Sequence, residues 1–300
     1  MTFDVLVVGG SFAGLSAAMQ LARARRPVCV LDAGAPRNRF AAASHGFFGL
    51  DGLPPAELQA MARDKLLAYD SVSFVADRAV SARGDGEGGF VVERDGGDAL
   101  RARRLVLATG VADVLPEIPG VAERWGVTVL HCPYCHGHEV ADRRLGVLST
   151  SPMSVHHAAL VADWGPVTLL LNGPDTLTDE DRALLQRRQV AVVPGPVARR
   201  EGEGLGLEAV VLADGARVPL DALFLGPRTR PASPLAEQLG CAFDDGMLGP
   251  VVRTDATKPP RVRGAHAAGA TAPASQNATF ASADGVRAGV AAHRSLIFDV

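Results

Sequence analysis

The segment His131-Cys132-Pro133-Tyr134-Cys135-His136-Gly137-His138-Glu139 holds the densest group of reactive side chains in the sequence. Two thiols separated by two residues can close a small disulfide ring and open it again. The nucleophile is the thiolate, and a neighbouring imidazolium or a helix N-terminus raises its population by lowering the thiol pKa. His131, His136 and His138 flank the pair, and each can relay a proton between thiol and solvent near neutral pH. The competing chemistry is zinc, because Cys132, Cys135 and two of the histidines have the donor types of a Cys2His2 set. That spacing is too tight: the second ligand pair normally comes about 12 or more residues further on, and the sequence has no second CxxC. Redox exchange is therefore the favoured reading. The other two cysteines, Cys29 in an apolar run and Cys241 in a boundary loop, are expected to be unreactive.

A second constellation sits near the N-terminus. Gly9-Gly10-Ser11-Phe12-Ala13-Gly14 follows the apolar run Phe3–Val8 and opens the Ala/Leu-rich stretch Ala13–Ala24. Between a strand and a helix, glycines permit a tight turn and close approach of backbone to a pyrophosphate, whose charge the helix N-terminus favours. Ser11 replaces the middle glycine of that fingerprint. Asp32, followed by Ala33, ends the next strand, Val28–Leu31, where a carboxylate can accept hydrogen bonds from ribose hydroxyls. Two further stretches favour FAD over NAD. One is the strand Leu105–Ala108 closed by Ala108-Thr109-Gly110; the other is Gly264–Gly289, with Gly269, Ala270 and Gln276 ahead of a small-residue helix. In flavoproteins with two dinucleotide-type domains such segments return over the FAD; the bland alternative is the last strand and helix of a doubly wound fold. Arg37, Asn38, His45 and Val80 complete the candidate cofactor contacts, with plain loop or surface positions as their alternative.

These sites need an α/β scaffold to hold them. Three hundred residues exceed what one small core usually serves, so two domains are expected. The pattern reads as two Rossmann-like three-layer domains, the second inserted in the first: a split FAD-binding domain, 1–115 and 245–300, around an insert, 116–244, that carries the CxxC pair. Crossings are placed by Pro/Gly punctuation near Leu115–Gly120 and Gly240–Gly249. In the first domain Arg37–Leu53 reads as a long loop, Leu58–Ala68 as a helix and Val72–Val92 as an antiparallel excursion. The insert repeats strand, helix and strand at Leu145–Leu148, Met153–Trp164 and Val167–Leu171. A last strand near Gly264–Ala268 precedes a helix over Ala281–Leu296. His156 and His157 are read as surface residues, and Phe47, Phe48 and Trp125 as packing.

The net charge of -3 argues against a nucleic-acid partner. The runs Arg23–Arg26, Arg101–Arg104 and Arg187–Arg188 are short, balanced by nearby acids, and read as solvated faces. No apolar stretch approaches the roughly 20 residues that span a bilayer. The start of the sequence has no basic-then-apolar leader, which points to the cytoplasm, where a close Cys pair suggests redox chemistry or metal.

With these motifs in this order the chain resembles, over nearly its whole length, the low-molecular-weight thioredoxin-reductase family. The resemblance implies a homodimer, FAD as cofactor, a Cys135 that faces the flavin and a Cys132 that exchanges with substrate. Departures from the family pattern are specific. Where the reductases carry a Gly-rich loop for NADPH, this sequence has Ser149-Thr150-Ser151-Pro152-Met153, and where they place cations for the 2′-phosphate it has Asn172-Gly173-Pro174-Asp175. NADPH binding is therefore expected to be impaired or absent. Ala270 stands in place of an Asp that follows the tail glycine, and His136 in place of the acid after the second Cys. Cys-Pro-Tyr-Cys-His-Gly-His-Glu without an NADPH loop is similar to the dithiol oxidases of disulfide natural-product pathways, of the gliotoxin, holomycin and romidepsin type. That resemblance implies oxidation of a small-molecule dithiol through Cys132/Cys135 and FAD, with O2 as acceptor, H2O2 as product and His136 as base. Two alternatives stand beside it. One is a thioredoxin-type disulfide reductase, with a thioredoxin-like protein partner, fed by NADPH or another donor; the other is a non-catalytic flavin- or ligand-binding protein.

Overall fold

The computed structural model describes residues 2–254, 262–272 and 277–298. The chain forms two compact units: Met1–Arg39, Phe47–Ala112 and Thr229–Val300 make one, and Phe40–Gly46 with Asp113–Arg228 make the other. The chain leaves the first unit through the strand Val111–Val114 and returns through Arg228–Pro231. The return thus precedes the Gly240–Gly249 stretch. The punctuation there serves a hairpin of Phe243–Asp245 and Pro250–Val252, closed by a Gly246 N–H to Gly249 carbonyl bond of 3.0 Å.

In the first unit, strands Val72–Ala76, Val28–Asp32, Thr2–Val8 and Gly97–Leu107 lie side by side and parallel, and Ala265–Ala267 also pairs parallel with Gly97–Leu107. The runs 5–8, 28–31 and 105–107 are apolar without alternation because both faces are covered. Val5, Val7, Val28, Val30 and Val106 face the helices Phe12–Arg23 and Ala278–Phe298, while Leu6, Val8, Leu31, Leu105 and Leu107 face Ala82, Phe90, Val92 and Leu235. The first helix starts one residue earlier than the sequence suggests, and the last begins at Ala278. These two helices pack backbone to backbone: a Cβ on Gly289 would lie 2.5 Å from the Ala17 carbonyl oxygen. The antiparallel excursion starts only after Ala76, since Val72–Ala76 pairs parallel with Val28–Asp32. It consists of Ala79–Gly84 and Phe90–Arg94 on the early half of Gly97–Leu107.

One of the arginine runs corrects the solvated reading. Arg104 is buried on the strand face under the last helix, where its Nε donates to Ser295 Oγ at 2.9 Å and a terminal nitrogen to the Ser295 carbonyl at 2.7 Å. Strand alternation sends it inward while Arg101 and Arg103 stay exposed.

The second unit has the same layering. Its parallel sheet runs Ala191–Val193, Val167–Leu170, Leu145–Leu148, Ala222–Leu225, Val129–Leu130. Helices Ser154–Val161 and Asp179–Arg187 cover one face. The antiparallel sheet of Val197–Glu201, Ala209–Leu212 and Arg217–Pro219 covers the other.

Candidate active site

Each sheet reverses its strand order once, and a crevice opens at that point beyond the carboxyl ends of the strands. In the first unit the reversal lies between Thr2–Val8 and Gly97–Leu107. The turns that leave Val8, Leu107 and Ala267 therefore share one sheet edge. Gly9 holds φ at +105°, a conformation that L side chains rarely adopt, and its N–H donates to the Leu31 carbonyl at 2.8 Å. A Cβ on Gly14 would overlap the Gly9 carbonyl oxygen, so this position sets how closely helix and strand meet. The Gly10 N–H donates to Asp32 Oδ1 at 2.8 Å, and a Cβ on Gly10 would sit 2.7 Å from Asp32 Cβ. Asp32 thus fixes the turn, a role additional to the ribose contact expected of it.

The helix after this turn is capped at Ser11 without any side-chain hydrogen bond. Its first N–H groups point into the crevice with the positive end of the helix dipole. Gly110, at φ +69°, donates its N–H to Thr271 Oγ1 at 2.7 Å, which ties Ala108-Thr109-Gly110 to the turn after Ala265–Ala267. In that turn Gly269, also at φ +69°, donates to Asp284 Oδ2 at 2.9 Å. Asp284, buried in the final helix, therefore holds the tail glycine, next to a half-buried Ala270. This cradle of glycines, an uncapped helix end and a carboxylate at the second strand fits the pyrophosphate and adenosine portion of FAD.

The remaining candidates are dispersed. Ala33 is exposed just past Asp32, and Arg37 and Asn38 are half-buried in the following turn. Val80 is exposed on Ala79–Gly84, its carbonyl accepting from Gln238 Nε2 at 3.3 Å. Phe12 packs on Phe47 with ring centroids 5.9 Å apart. Phe48, read as packing, is instead 97% exposed because its loop turns outward. Gln276 lies outside the described residues. Cys29 and Cys241 are buried, and burial pushes the Cys29 thiol up to about 11 and raises that of Cys241, so neither forms a thiolate readily.

In the second unit the strand reversal lies between Leu145–Leu148 and Ala222–Leu225, and there the turn's N–H groups find acceptors within the protein. Buried Ser154 Oγ accepts the N–H groups of Thr150 at 3.0 Å and Ser151 at 3.3 Å, and Thr150 Oγ1 donates across to the Gly226 carbonyl at 2.7 Å. Beyond the next strand, Asn172 Oδ1 accepts the Val197 N–H at 2.9 Å, while Asp175 pairs with Arg182 at 2.8 Å. Arg182 and the Leu177 N–H hold the Asp175 carboxyl below its usual range, so the position stays anionic.

The cysteines follow the strand Val129–Leu130 at the same sheet edge. Cys132 caps the short helix Pro133–His136, with Pro133 at its first position, where the missing N–H does no harm. One turn on, Cys135 directs its sulfur to Cys132 Sγ, 2.7 Å away. Tyr134, between them, is 70% exposed and meets Trp164 edge-on at 5.6 Å. Gly137 is required by the close approach of Trp164, since a Cβ there would lie 2.7 Å from its Nε1.

Histidines surround the pair. His131 Nδ1–H donates to the Leu225 carbonyl at 3.1 Å. His136 is half-buried; desolvation lowers its pKa from 6.5, Glu139 opposes this, and His45 and His131 add to it. It is therefore neutral at neutral pH and able to accept a proton. His45, proposed from sequence as a flavin contact, lies within this unit with its Nε2 at 3.4 Å from Glu139 Oε1. His156 is exposed as expected, but His157 is half-buried rather than a solvated surface residue. Its ring packs edge-on against Phe224 and His131 and bonds to the His131 backbone, and burial drives its pKa down to about 4. Sequence reasoning also missed Ser154, Glu139, Thr271 and Asp284. A lone acid in the small-residue stretch Ser282-Ala283-Asp284-Gly285 was the available signal for the last.

Comparison with known proteins gives a consistent relationship. Residues 3–285 match the family described as pyridine nucleotide-disulphide oxidoreductase. Thioredoxin reductase tcpT of Claviceps purpurea is 33% identical, covering 99% of this chain and 95% of that protein. Thioredoxin reductase sirT of Leptosphaeria maculans is 30% identical over 96% and 92%. Among solved structures, an oxidoreductase from Agrobacterium tumefaciens superposes over the whole of both chains with a TM-score of 0.94 and 45% identity. HlmI superposes with a TM-score of 0.91 and 40% identity, over 99% of this chain and 93% of its own.

Proposed function

The chain belongs to the pyridine nucleotide-disulphide oxidoreductase family, and we propose that within it the protein is a dithiol oxidase, closing a disulfide in a small molecule with O2 as acceptor. It is a flavin-dependent thiol/disulfide oxidoreductase with FAD as cofactor, held by Gly9–Gly14, Asp32, Thr109-Gly110 and Gly269. One observation carries the oxidase reading. The turn that would cradle a nicotinamide dinucleotide in the second unit has its Thr150 and Ser151 N–H groups taken by Ser154 Oγ, and the following turn carries Asp175, which engages the nearby Arg182 guanidinium. The similarity of Cys-Pro-Tyr-Cys-His-Gly-His-Glu to the dithiol oxidases supports the same reading.

In this reading His136 takes the proton of a substrate thiol, and the sulfur so freed attacks Cys132 Sγ of the Cys132–Cys135 disulfide. That bond breaks, Cys135 leaves as thiolate, and a mixed disulfide joins substrate to Cys132. The second substrate thiolate attacks the substrate sulfur of this mixed disulfide, which closes the product and releases Cys132 as thiolate. FAD held in the first unit would supply a two-electron acceptor for the reduced cysteines, with O2 as the final oxidant and H2O2 as the product. A homodimer in the cytoplasm is proposed on the resemblance alone; among the described residues no helix is long and apolar enough to cross a membrane.

Anaerobic spectral titration tests the proposal. Dithiothreitol should bleach the yellow protein, NADPH should not, and air should restore the colour with release of peroxide. Cys132→Ser should block the bleaching. The second reading, an NADPH-fed thioredoxin reductase, is favoured by the names of the fungal relatives. Rapid bleaching by NADPH, with insulin reduction through thioredoxin, would establish it instead.

A further inference from the structure

One cluster of titratable side chains in the second unit is assembled from distant stretches of chain. Phe40–Gly46 belongs to this unit although the residues on either side of it do not. It is seated closely: a Cβ on Gly126 would lie 2.7 Å from Phe40 Cβ. At its end His45 Nε2 stands 3.4 Å from Glu139 Oε1, with side chains 25% and 42% exposed. Glu139 follows His136 by three residues, on the short turn His138–Val140 that continues from the cysteine helix.

We propose that Glu139 is a positioning residue for the base His136 and that His45 shares its carboxylate, the three forming the unit that receives the substrate's proton. The proposal rests on the dithiol reading above. When the substrate S–H bond breaks, its proton goes to the neutral imidazole of His136 and its electron pair stays on sulfur for attack on Cys132. The imidazolium so formed lies in a partly desolvated site, where an adjacent carboxylate is worth more than in water. Glu139 supplies that charge. His45, whose Nε2 reaches the same carboxylate, opposes that effect.

The titratable groups whose charges act on His136 are Glu139, His45 and His131. Cys132 and Cys135 lie on its helix, His138 is exposed, and His157 packs edge-on against His131. Burial and the two histidines disfavour its charged form, and Glu139 favours it. Proton uptake needs neutral His136, so the rate falls on the acid side as the imidazole becomes protonated. Glu139→Gln removes a favourable charge and should move this acid limb to lower pH. His45→Gln removes an opposing charge and should move it to higher pH. A merely structural contact would not give opposite displacements.

The experiment is stopped-flow bleaching of the flavoprotein by dithiothreitol across the acid limb, for the wild type, Glu139→Gln, His45→Gln and the double variant. In parallel, NMR of histidine-labelled oxidised protein follows the His136 imidazole, assigned with His136→Gln. Opposite displacements in both readouts, with the double variant between, are the expected result. Unmoved or same-direction displacements overturn the proposal. If dithiothreitol fails to bleach the wild type, the dithiol reading falls, while the NMR titration still decides the role of Glu139 and His45.

Discussion

Replacing His157 by Phe should remove a measurable part of the acid sensitivity of the second unit. The ring of His157 lies 6.1 Å, centroid to centroid, from that of Phe224 and 6.4 Å from that of His131, and burial holds its pKa at about 4 against 6.5 in an unfolded chain. Between those values the unfolded chain binds a proton that the folded unit refuses. Stability is therefore complete above 6.5 and is lost as pH falls toward 4. The gap is worth about 3.4 kcal/mol once both titrations are complete, and about 2 kcal/mol by about pH 5. The chain's two tryptophans, Trp125 and Trp164, both lie in this unit, so their emission reports its unfolding. Urea titrations at about pH 7 and about pH 5 should show the wild type losing about 2 kcal/mol more than His157→Phe, since other groups titrate in both proteins and cancel. The lost hydrogen bond to the His131 backbone lowers the variant equally at both pH values and does not enter the difference. Equal losses in the two proteins would refute the reasoning, because they would mean that His157 titrates like a solvated imidazole.

Three further outcomes are expected. Gly14→Ala would drive a methyl into the Gly9 carbonyl oxygen; it should cost at least about 2 kcal/mol and sharply reduce the flavin-to-protein absorbance ratio of purified protein. Ser154→Ala deprives the Thr150 and Ser151 N–H groups of their acceptor and should destabilise the second unit by about 1–3 kcal/mol in the same tryptophan-monitored titration, without conferring bleaching by NADPH. Asp221, which Arg144 contacts through both its backbone N–H and its guanidinium, is held at about 2. Its contribution is present above the ordinary carboxylate value and lost as pH falls toward 2, so Asp221→Asn should cost about 1 kcal/mol at neutral pH after allowance for solvent screening, and nothing in strong acid.

What the sequence disclosed, and what it hid, follows from the range of the interactions. Phe3–Val8, Val28–Leu31 and Leu145–Leu148 declare themselves because a strand covered on both faces must be apolar throughout. The glycine turn is legible because Gly9 and Gly14 answer local constraints, a positive φ and a carbonyl in the way of any side chain. Contacts between distant residues leave no such mark. Arg104 reads like its exposed neighbours, and only the last helix, with Ser295, makes it a buried one. His157 beside His156 looks like half of a surface pair until Phe224 and His131 close over it. Phe40–Gly46 has the composition of the loop it belongs to, and nothing local reveals that it joins the other unit. The early domain crossing was hidden for a related reason: Gly246 and Gly249 punctuate a hairpin, and a hairpin and a linker use the same residues.

The two units make the same architectural offer and answer it differently. Each presents a helix N-terminus beyond a parallel strand, at the point where strand order reverses, and such an end needs acceptors for its N–H groups. In the first unit the turn is built from glycines and Asp32 takes the Gly10 N–H; the helix that follows, like Ser154–Val161 in the second unit, has no side-chain cap. Acceptors from a phosphate complete that end. In the second, one hydroxyl in the first turn, Ser154, meets the Thr150 and Ser151 N–H groups, and Thr150 bridges to the facing strand end at Gly226. A pyrophosphate entering there would have to displace bonds already made, and the nearby Arg182 is engaged by Asp175. The same sheet edge carries His131, Cys132 and Cys135 instead. On the proposed dithiol-oxidase reading, a fold that can hold two dinucleotides keeps one such site and gives the second unit to sulfur chemistry, its electrons arriving through thiols.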